Sequence, residues 1–511
     1  MNAGRRLVAG GVIAALAGTI VTAGGAFADT TAPSPAAAVS PDRTSAAESR
    51  EVDAVPTPVP AWSACFEIAE CATVRLPLDY DQPRGATTEV AVLRVKAKDQ
   101  ANKIGSLFVN PGGPSIPVTK AEKQAYIKGS EQYGRACSTT GKPLSGAMST
   151  AEVARDHEVL RRAVGDRKLT YLGLSYGSVL GQYYANMFPG RFRALVVDGV
   201  LDARSWVVNT RQILDERINS SGGSARALTE ILRPCDKAGE TACVFAAGDP
   251  VRNFDTITRK LKAKPLVLEG VTLTYADFVL AVFDGLNLPT AGEEATTLAA
   301  EIWAALDGDS TALLQRLEAA ATIGPDGNAP YDNHVDSAFA ILCTDGLFPA
   351  EAARWPAAVA AREKAAPHFG SALARNDSAC AGSTWTVRDE DAYTGPFDRR
   401  TAAPVLVVGS FWDPATNYAG AVSTSRLLPN SRLLSSDNWG HTAYGSRNPI
   451  IDAKANAEKY GMKVAHEAAY PLSTEDFAPV IDAVAESGSD VFVAVFLSGR
   501  LDRSGAGASF S

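Results

Sequence analysis

The chain is 511 residues long, 46% hydrophobic and 21% charged, with a formal net charge of -8 at neutral pH. That length supports a large core, and the negative balance excludes nucleic acid as a natural partner. Its seven cysteines are scattered without Cys-x-x-Cys spacing, which argues against a zinc site.

From its start the chain carries Arg5-Arg6, an apolar run from Leu7 to about Val21, and Ala26-Phe27-Ala28. This is the layout of a secretory signal over residues 1–28 with a small-residue cleavage site. A mature chain beginning near Asp29 loses both arginines, becomes two charges more negative, and is expected outside the cell. The run is too short and too rich in Ala and Gly for a membrane anchor, and no later stretch predicts stable membrane insertion. Residues 29–60 are mostly Ala, Thr, Ser and Pro and are expected to form a disordered leader or pro-segment. In an exported chain cysteines point to disulfides, here Cys65 with Cys71, Cys235 with Cys243 and Cys343 with Cys380. That scheme assigns Cys137 no bridge.

Alternation of apolar and polar residues from Cys71 to Val95, around Asp81-Gln82-Pro83-Arg84-Gly85, predicts an antiparallel hairpin. Gly105 to Asn110 reads as a buried strand running into Pro111-Gly112-Gly113-Pro114. A glycine pair just after a strand lets backbone N–H groups approach a ligand, as an oxyanion hole requires. Two helices follow, one from Thr119 to roughly Tyr133 and one capped by Ser149 or Thr150 and running to Val164. The stretch Leu169 to Leu172 is a strand, Ser178 to Met187 a helix closed by Pro189-Gly190, and between them lies Gly173-Leu-Ser175-Tyr-Gly177. Strand, Gly-x-Ser-x-Gly and helix in that order predict a nucleophile elbow with Ser175 at its apex.

Phe192 to Val200 is a further strand. Trp206 to about Pro396 reads as mostly helical, with amphipathic segments at 224–232, 275–286, 293–322 and 350–365, an insertion of the kind that shapes a pocket. The strand pattern resumes at Pro404 to Gly409, which leads to Asp413, and at Ser431 to Ser435, which leads to His441. A serine nucleophile needs a base and a group to orient it. The chain order Ser175, Asp413, His441 is that expected of an α/β-hydrolase. Of the other histidines, His157 falls in a predicted helix, His334 and His368 in the insertion and His466 in the tail. Taken together, the elements predict an α/β class, an α/β-hydrolase fold with a mostly helical cap. Tyr176 and Gly113 would supply the oxyanion N–H groups, and no metal or organic cofactor is called for. The segments are 61–205 for the first part of the core, 206–396 for the cap and 397–447 for the last part of the core.

Asn110-Pro-Gly-Gly-Pro114, Gly173-Leu-Ser-Tyr-Gly177, Val197-Asp-Gly-Val-Leu-Asp202, Ala340-Ile-Leu-Cys-Thr-Asp345, Asp413-Pro-Ala-Thr416 and Gly440-His-Thr442 together resemble the secreted tripeptidyl aminopeptidases, relatives of the proline iminopeptidases. The resemblance covers about residues 60 to 447. It implies a TAP-like C-terminal part and a serine exopeptidase releasing short peptides from free N-termini; separately, a monomer is expected. An aminopeptidase must also bind a substrate ammonium; Asp202 and Asp345 are candidates by position, and Asp198 or Glu216 would serve as well. An esterase acting on small acyl esters is the alternative within the same chemistry, and an inactive remnant or binding protein the alternative outside it.

The chain departs from that family twice. A helix and strand that normally follow the glycine loop are missing after Ser115, and the cysteine this scheme leaves over, Cys137, fits the loss of a partner in that unit. The missing strand would lie between the N-terminal hairpin and the 105–110 strand, so the sheet is expected to have a gap. From near Asn448 the tail, 448–511, resembles a fragment of a periplasmic amino-acid-binding protein, with Ser489 to Phe496 read as a strand.

Overall fold

Strand β5 (Leu169–Leu174) lies in the middle of a nine-stranded sheet, and the chain order of its neighbours explains where the chemistry collects. The computed structural model describes residues 44–65, 69–95, 106–108, 120–207, 211–268, 271–321, 334–444 and 490–494, all within one compact unit. The predicted signal, the leader before Thr44, Gly113, His466 and most of the tail fall outside these residues. The N-terminal strands are β1 (Ser63–Cys65), β2 (Ala69–Pro77) and β3 (Thr87–Val95), antiparallel in succession and matching the predicted hairpin. β4 (Ser106–Phe108), β5, β6 (Phe192–Asp198), β9 (Val405–Trp412) and β10 (Ser431–Trp439) follow in mutually parallel order. The run Val405 to Ser410 is buried throughout, as a strand covered on both faces must be.

The gap expected beside β4 is absent. A strand of the tail, β11 (Asp490–Ala494), pairs antiparallel with β3 and parallel with β4, so the order is β1-β2-β3-β11-β4-β5-β6-β9-β10. The tail's strand was legible; its place in the sheet was not, because pairing across the length of a chain leaves no local signal.

Helices α2 (Lys120–Thr140), α3 (Thr150–Ala163), α4 (Tyr176–Met187) and α15 (Tyr418–Leu427) accompany the parallel strands. Ser149 caps α3 by accepting the Glu152 N–H, and α2 runs well past its predicted end at Tyr133. The leader is not disordered to residue 60. Residues Ala46–Asp53 form α1, capped by Ser45, with Val52 fully buried in the sheet core. The reason lies in α3. Its Arg155, 1% exposed, is met by Glu48 and Glu51 of α1 as well as by Glu152 and Asp391, since a buried guanidinium must be paired.

Between β6 and β9 lie α5 (Ala203–Val207), α6 (Leu214–Ile218), α7 (Ser220–Ala238), α8 (Pro250–Ala263), the hairpin β7 (Leu266–Leu268) and β8 (Val271–Leu273), α9 (Tyr275–Leu286), α10 (Ala291–Leu306), α11 (Thr311–Ala321), α12 (His334–Asp345), α13 (Trp355–Ala365) and α14 (Phe369–Leu373). The helical insertion is therefore as expected, with a small hairpin the periodicity did not reveal. The predicted helix 293–322 is two helices, separated at Asp307-Gly308-Asp309, where Gly308 takes a φ of +110°. The insertion has its own apolar core, built from α7 to α10 around Phe254, Phe278 and Ile302. The Cys235–Cys243 and Cys343–Cys380 bridges form within it. The side chains of Cys65 and Cys71 lie outside the described residues.

Candidate active site

Ser175 stands one residue past β5, Asp413 one past β9 and His441 two past β10, so all three sit at the carboxyl ends of parallel strands. Open α/β sheets bind their ligands at that rim. Ser175 has φ +55° and ψ -121°, a left-handed conformation that costs a β-carbon-bearing residue about 1–3 kcal/mol and persists only where the surroundings impose it. Here they do. The Ser175 N–H donates to the Asp198 carbonyl at 3.0 Å, and its own carbonyl accepts the Ser178 N–H at 2.8 Å, opening α4. Gly173 makes the reversal possible, since a β-carbon on it would lie 2.1 Å from the Gly177 carbonyl oxygen. Ser175 is only half-buried, at the positive end of α4.

The Asp413 carboxylate is 1% exposed and fully engaged. It accepts the Ala415 and Thr416 N–H groups at 2.9 and 2.7 Å, the Thr416 hydroxyl at 2.8 Å, the Thr442 N–H at 3.2 Å and the Nδ1 of His441 at 2.9 Å. Burial pushes this carboxyl up, but the His441 charge and hydrogen bond, with those from Thr416, outweigh it and hold it below the usual carboxylate range. For His441 burial disfavours the cation, and the facing Asp413 reverses that, so its imidazole is more basic than usual. With Nδ1 held by Asp413, Nε2 is the nitrogen left for proton transfer, as a general base requires.

The third strand end, Asp198, closes the arrangement. Its carboxylate, 1% exposed, accepts N–H groups from Gly199 at 2.7 Å, Ala443 at 2.9 Å and Tyr444 at 2.7 Å, tying the segment after His441 to the end of β6. Burial pushes this carboxyl up to about 6 despite those donors, and the Asp413 charge adds to it. Gly199, at φ +59°, leaves room for the imidazole: a β-carbon there would stand 2.9 Å from Cε1 of His441. The backbone carbonyl of Asp198 thus holds Ser175 while its carboxylate and neighbour seat His441. From the insertion, Asn287 at the end of α9 accepts the His441 N–H at 2.9 Å. Glycine spacing predicted the elbow; Asp198 was named only as an alternative acid for an amine, and no local pattern gave it this role or pointed to Asn287.

The two acids expected to meet a substrate ammonium are both buried and hydrogen-bonded within the protein. Asp202, 7% exposed, accepts the Ser423 hydroxyl at 2.6 Å and pairs with Arg204 at 3.5 Å. Asp345, 4% exposed, accepts the Thr150 N–H at 2.6 Å, the Thr150 hydroxyl at 2.5 Å and the Trp206 indole N–H at 2.8 Å. Thr150 also shares a hydrogen bond with the Tyr176 hydroxyl at 2.7 Å, so Asp345 props the residue after Ser175 from inside. Asp198 is committed as above, and Glu216 accepts the Ile213 N–H at the start of α6. His157 is a core histidine, with burial pushing it down to about 4, and the ring of His368 faces Asp255. For metals, Glu152, Asp389 and Asp391 come close enough together to hold an ion, but Arg155 already supplies a cation to Glu152 and Asp391.

A family model described as the alpha/beta hydrolase fold matches residues 132–221, and one described as TAP-like protein matches residues 366–457. The first match spans the elbow and the second spans Asp413 and His441. The chain is 26% identical over 460 residues to the tripeptidyl aminopeptidase of Streptomyces lividans, covering 76% of this chain and 80% of that one. It is 25% identical over 461 residues to serine protease Hip1 of Mycobacterium tuberculosis, covering 77% and 85%. Carboxylesterase B of the same species is 26% identical over 472 residues, covering 78% and 87%. The relatives support a hydrolase of the serine peptidase kind, and among the described residues no helix is long and apolar enough to cross a membrane. By its sheet order and by these matches the chain has the α/β-hydrolase fold, and its C-terminal part is similar to the TAP-like family.

Proposed function

We propose that the protein is a secreted serine exopeptidase that removes short peptides, of tripeptide length, from free N-termini. The observation that carries the chemistry is the Asp413–His441 pair held against the end of β6, whose last carbonyl also fixes the strained Ser175. Ser175 attacks the scissile carbonyl while His441 takes its proton and Asp413 stabilises the resulting imidazolium. The oxyanion is bound by the N–H groups of Tyr176, at the start of α4, and of Gly113, beyond β4; losing one such donor costs about a hundredfold or more in rate. Protonated His441 then protonates the leaving amine, and a water molecule, deprotonated by the same imidazole, hydrolyses the acyl-enzyme.

Peptide specificity is supported by the relatives named tripeptidyl aminopeptidase and serine protease. An esterase of small acyl esters is favoured by one observation of its own: Asp202 and Asp345, the acids expected to bind an amine, are spent inside the protein. Kinetics on chromogenic tripeptide amides with free and with blocked N-termini, beside a short acyl ester, separate the two. The peptidase requires the free amine; equal turnover of blocked and free amides, or turnover of the ester alone, overturns it. Labelling by a fluorophosphonate probe should vanish in Ser175→Ala. Absence of Ser175-dependent label in the wild-type chain would leave an inactive remnant.

A further inference from the structure

Eight of the nine strands in the main sheet come from residues 63–439, and the ninth comes from the far end of the chain. β11 is paired on both edges. Val491, Phe492, Val493 and Ala494 stand opposite Val95, Arg94, Leu93 and Val92 of β3, while Asp490, Val491 and Phe492 stand opposite Ser106, Leu107 and Phe108 of β4. We propose that the space between β3 and β4 is a docking slot for an extended segment of the chain's own C-terminal region, that Asp490–Ala494 fills it, and that this strand positions β4 for the proposed hydrolysis.

The geometry of a sheet defines the slot. Neighbouring strands lie about 4.8 Å apart, so β3 and β4 are separated by one strand's width and would each expose an unpaired edge without an occupant. β3 runs antiparallel and β4 parallel to the guest, so the inserted strand joins the antiparallel N-terminal strands to the parallel part of the sheet. The composition of the segment fits a central strand: Val491-Phe492-Val493 is β-branched and aromatic, free of Gly and Pro, with Gly488-Ser489 before it and Ser498-Gly499 after it. Such residues favour a pleated, doubly flanked strand.

The consequence for β4 follows from its few partners. On the other side it is held by β5 through the pairs Leu107 with Thr170 and Phe108 with Tyr171, whereas β11 supplies three pairs. β4 leads in sequence into Pro111-Gly112-Gly113, the segment assigned the second oxyanion donor. The activity consequence rests on the proposed serine-hydrolase chemistry; the docking itself does not.

Two experiments on the full-length chain test this. Oxidation of the double variant Val92→Cys with Ala494→Cys, residues directly opposite in the ladder, should yield that cross-link by peptide mass mapping, while Ala72→Cys with Ala494→Cys, one strand further away, should not. Failure of the first pair, or equal yield from both, overturns the docking. In Val491→Pro/Val493→Pro, which removes two ladder N–H groups, amide exchange should accelerate in Ser106–Phe108 and Thr87–Val95 while β6 and β9 stay protected. The same variant should lose about a hundredfold in kcat with little change in KM, the cost of displacing one oxyanion donor. Val491→Ile/Val493→Ile, or an excess of a peptide spanning residues 487–497 added to the proline variant, should preserve or restore it. Wild-type kcat and unchanged exchange in the proline variant overturn the proposal. If that variant does not fold, the cross-link decides. A wild-type chain with no Ser175-dependent turnover would refute the serine-hydrolase chemistry and leave the cross-link result standing.

Discussion

At Asp413 one carboxylate accepts from five donor groups, and its value to the site is the tautomer and basicity it gives His441. Asp413→Asn keeps the shape but offers an N–H where the imidazole Nδ1–H must donate, and the expected loss in kcat is about 10⁴-fold. Because Asp413 raises the basicity of His441, the acid limb of kcat/KM should lie above the range of an ordinary imidazole, falling as pH drops and His441 is protonated. Asp413→Ala should shift that limb to lower pH in residual activity; an unmoved limb would mean that another group titrates there. Gly199→Ala offers a second check at this scale. Its β-carbon would meet both the His441 ring and Thr442 in a left-handed conformation. We expect a kcat at least tenfold lower with a modestly lower Tm, and an unchanged rate would show that the ring tolerates displacement. Ser175, Asp413 and His441 were legible because each follows its own strand within two residues. Asp198 was read only as an alternative acid for an amine, since the partners that define its role, Ala443 and Tyr444, lie far along the chain.

Elements explain what periodicity left unseen. The elbow helix α4 and the strands β5, β6 and β9 were readable from buried apolar runs punctuated by glycine. The hairpin of β7 and β8 was not: its residues are mostly half-buried or exposed, so it has no alternating apolar face. Helix α1, with three acids and one arginine in eight residues, looks like solvent-exposed leader until its buried partners on α3 are known. The end of α12 is the element-scale support of the elbow. Cys343 bridges to Cys380, and two residues later Asp345 receives Thr150 and Trp206. Removing the bridge as Cys343→Ala/Cys380→Ala should cost about 2–4 kcal/mol of stability, measured by denaturant titration. Thr150→Val takes the hydroxyl donor from a buried carboxylate and is expected to cost about 1–3 kcal/mol, with kcat falling further than KM rises. If Thr150→Val is neutral, the support assigned to Asp345 is wrong.

Across the whole molecule, buried acids set the response to pH. Burial lifts Asp156 to about 7 and Asp198, Asp345 and Asp377 to about 6 each. An unfolded chain releases those protons near pH 4, so the folded state holds more of them over the interval between. Their contribution is full below about pH 4 and is lost as pH rises towards 7. His157 and His368, both made less basic by burial, oppose this because the unfolded chain protonates them below about pH 6.5, but they are two imidazoles against four carboxyls. The Tm should therefore be higher at pH 5.5 than at pH 8, with a shallower slope in Asp156→Asn; calorimetry giving the reverse order would refute it.

The clasp between α1 and the sheet core bounds how far the N-terminal segment can be cut back without loss of stability. A cut beyond residue 55 would strip Arg155 of Glu48 and Glu51, Arg191 of Asp53, and Arg162 of the Val52 and Val55 carbonyls, and would vacate the cavity Val52 fills. A cut that respects this wiring falls upstream of Ser45, and removal of the α1 arm by a contaminating protease should be visible as an earlier melt.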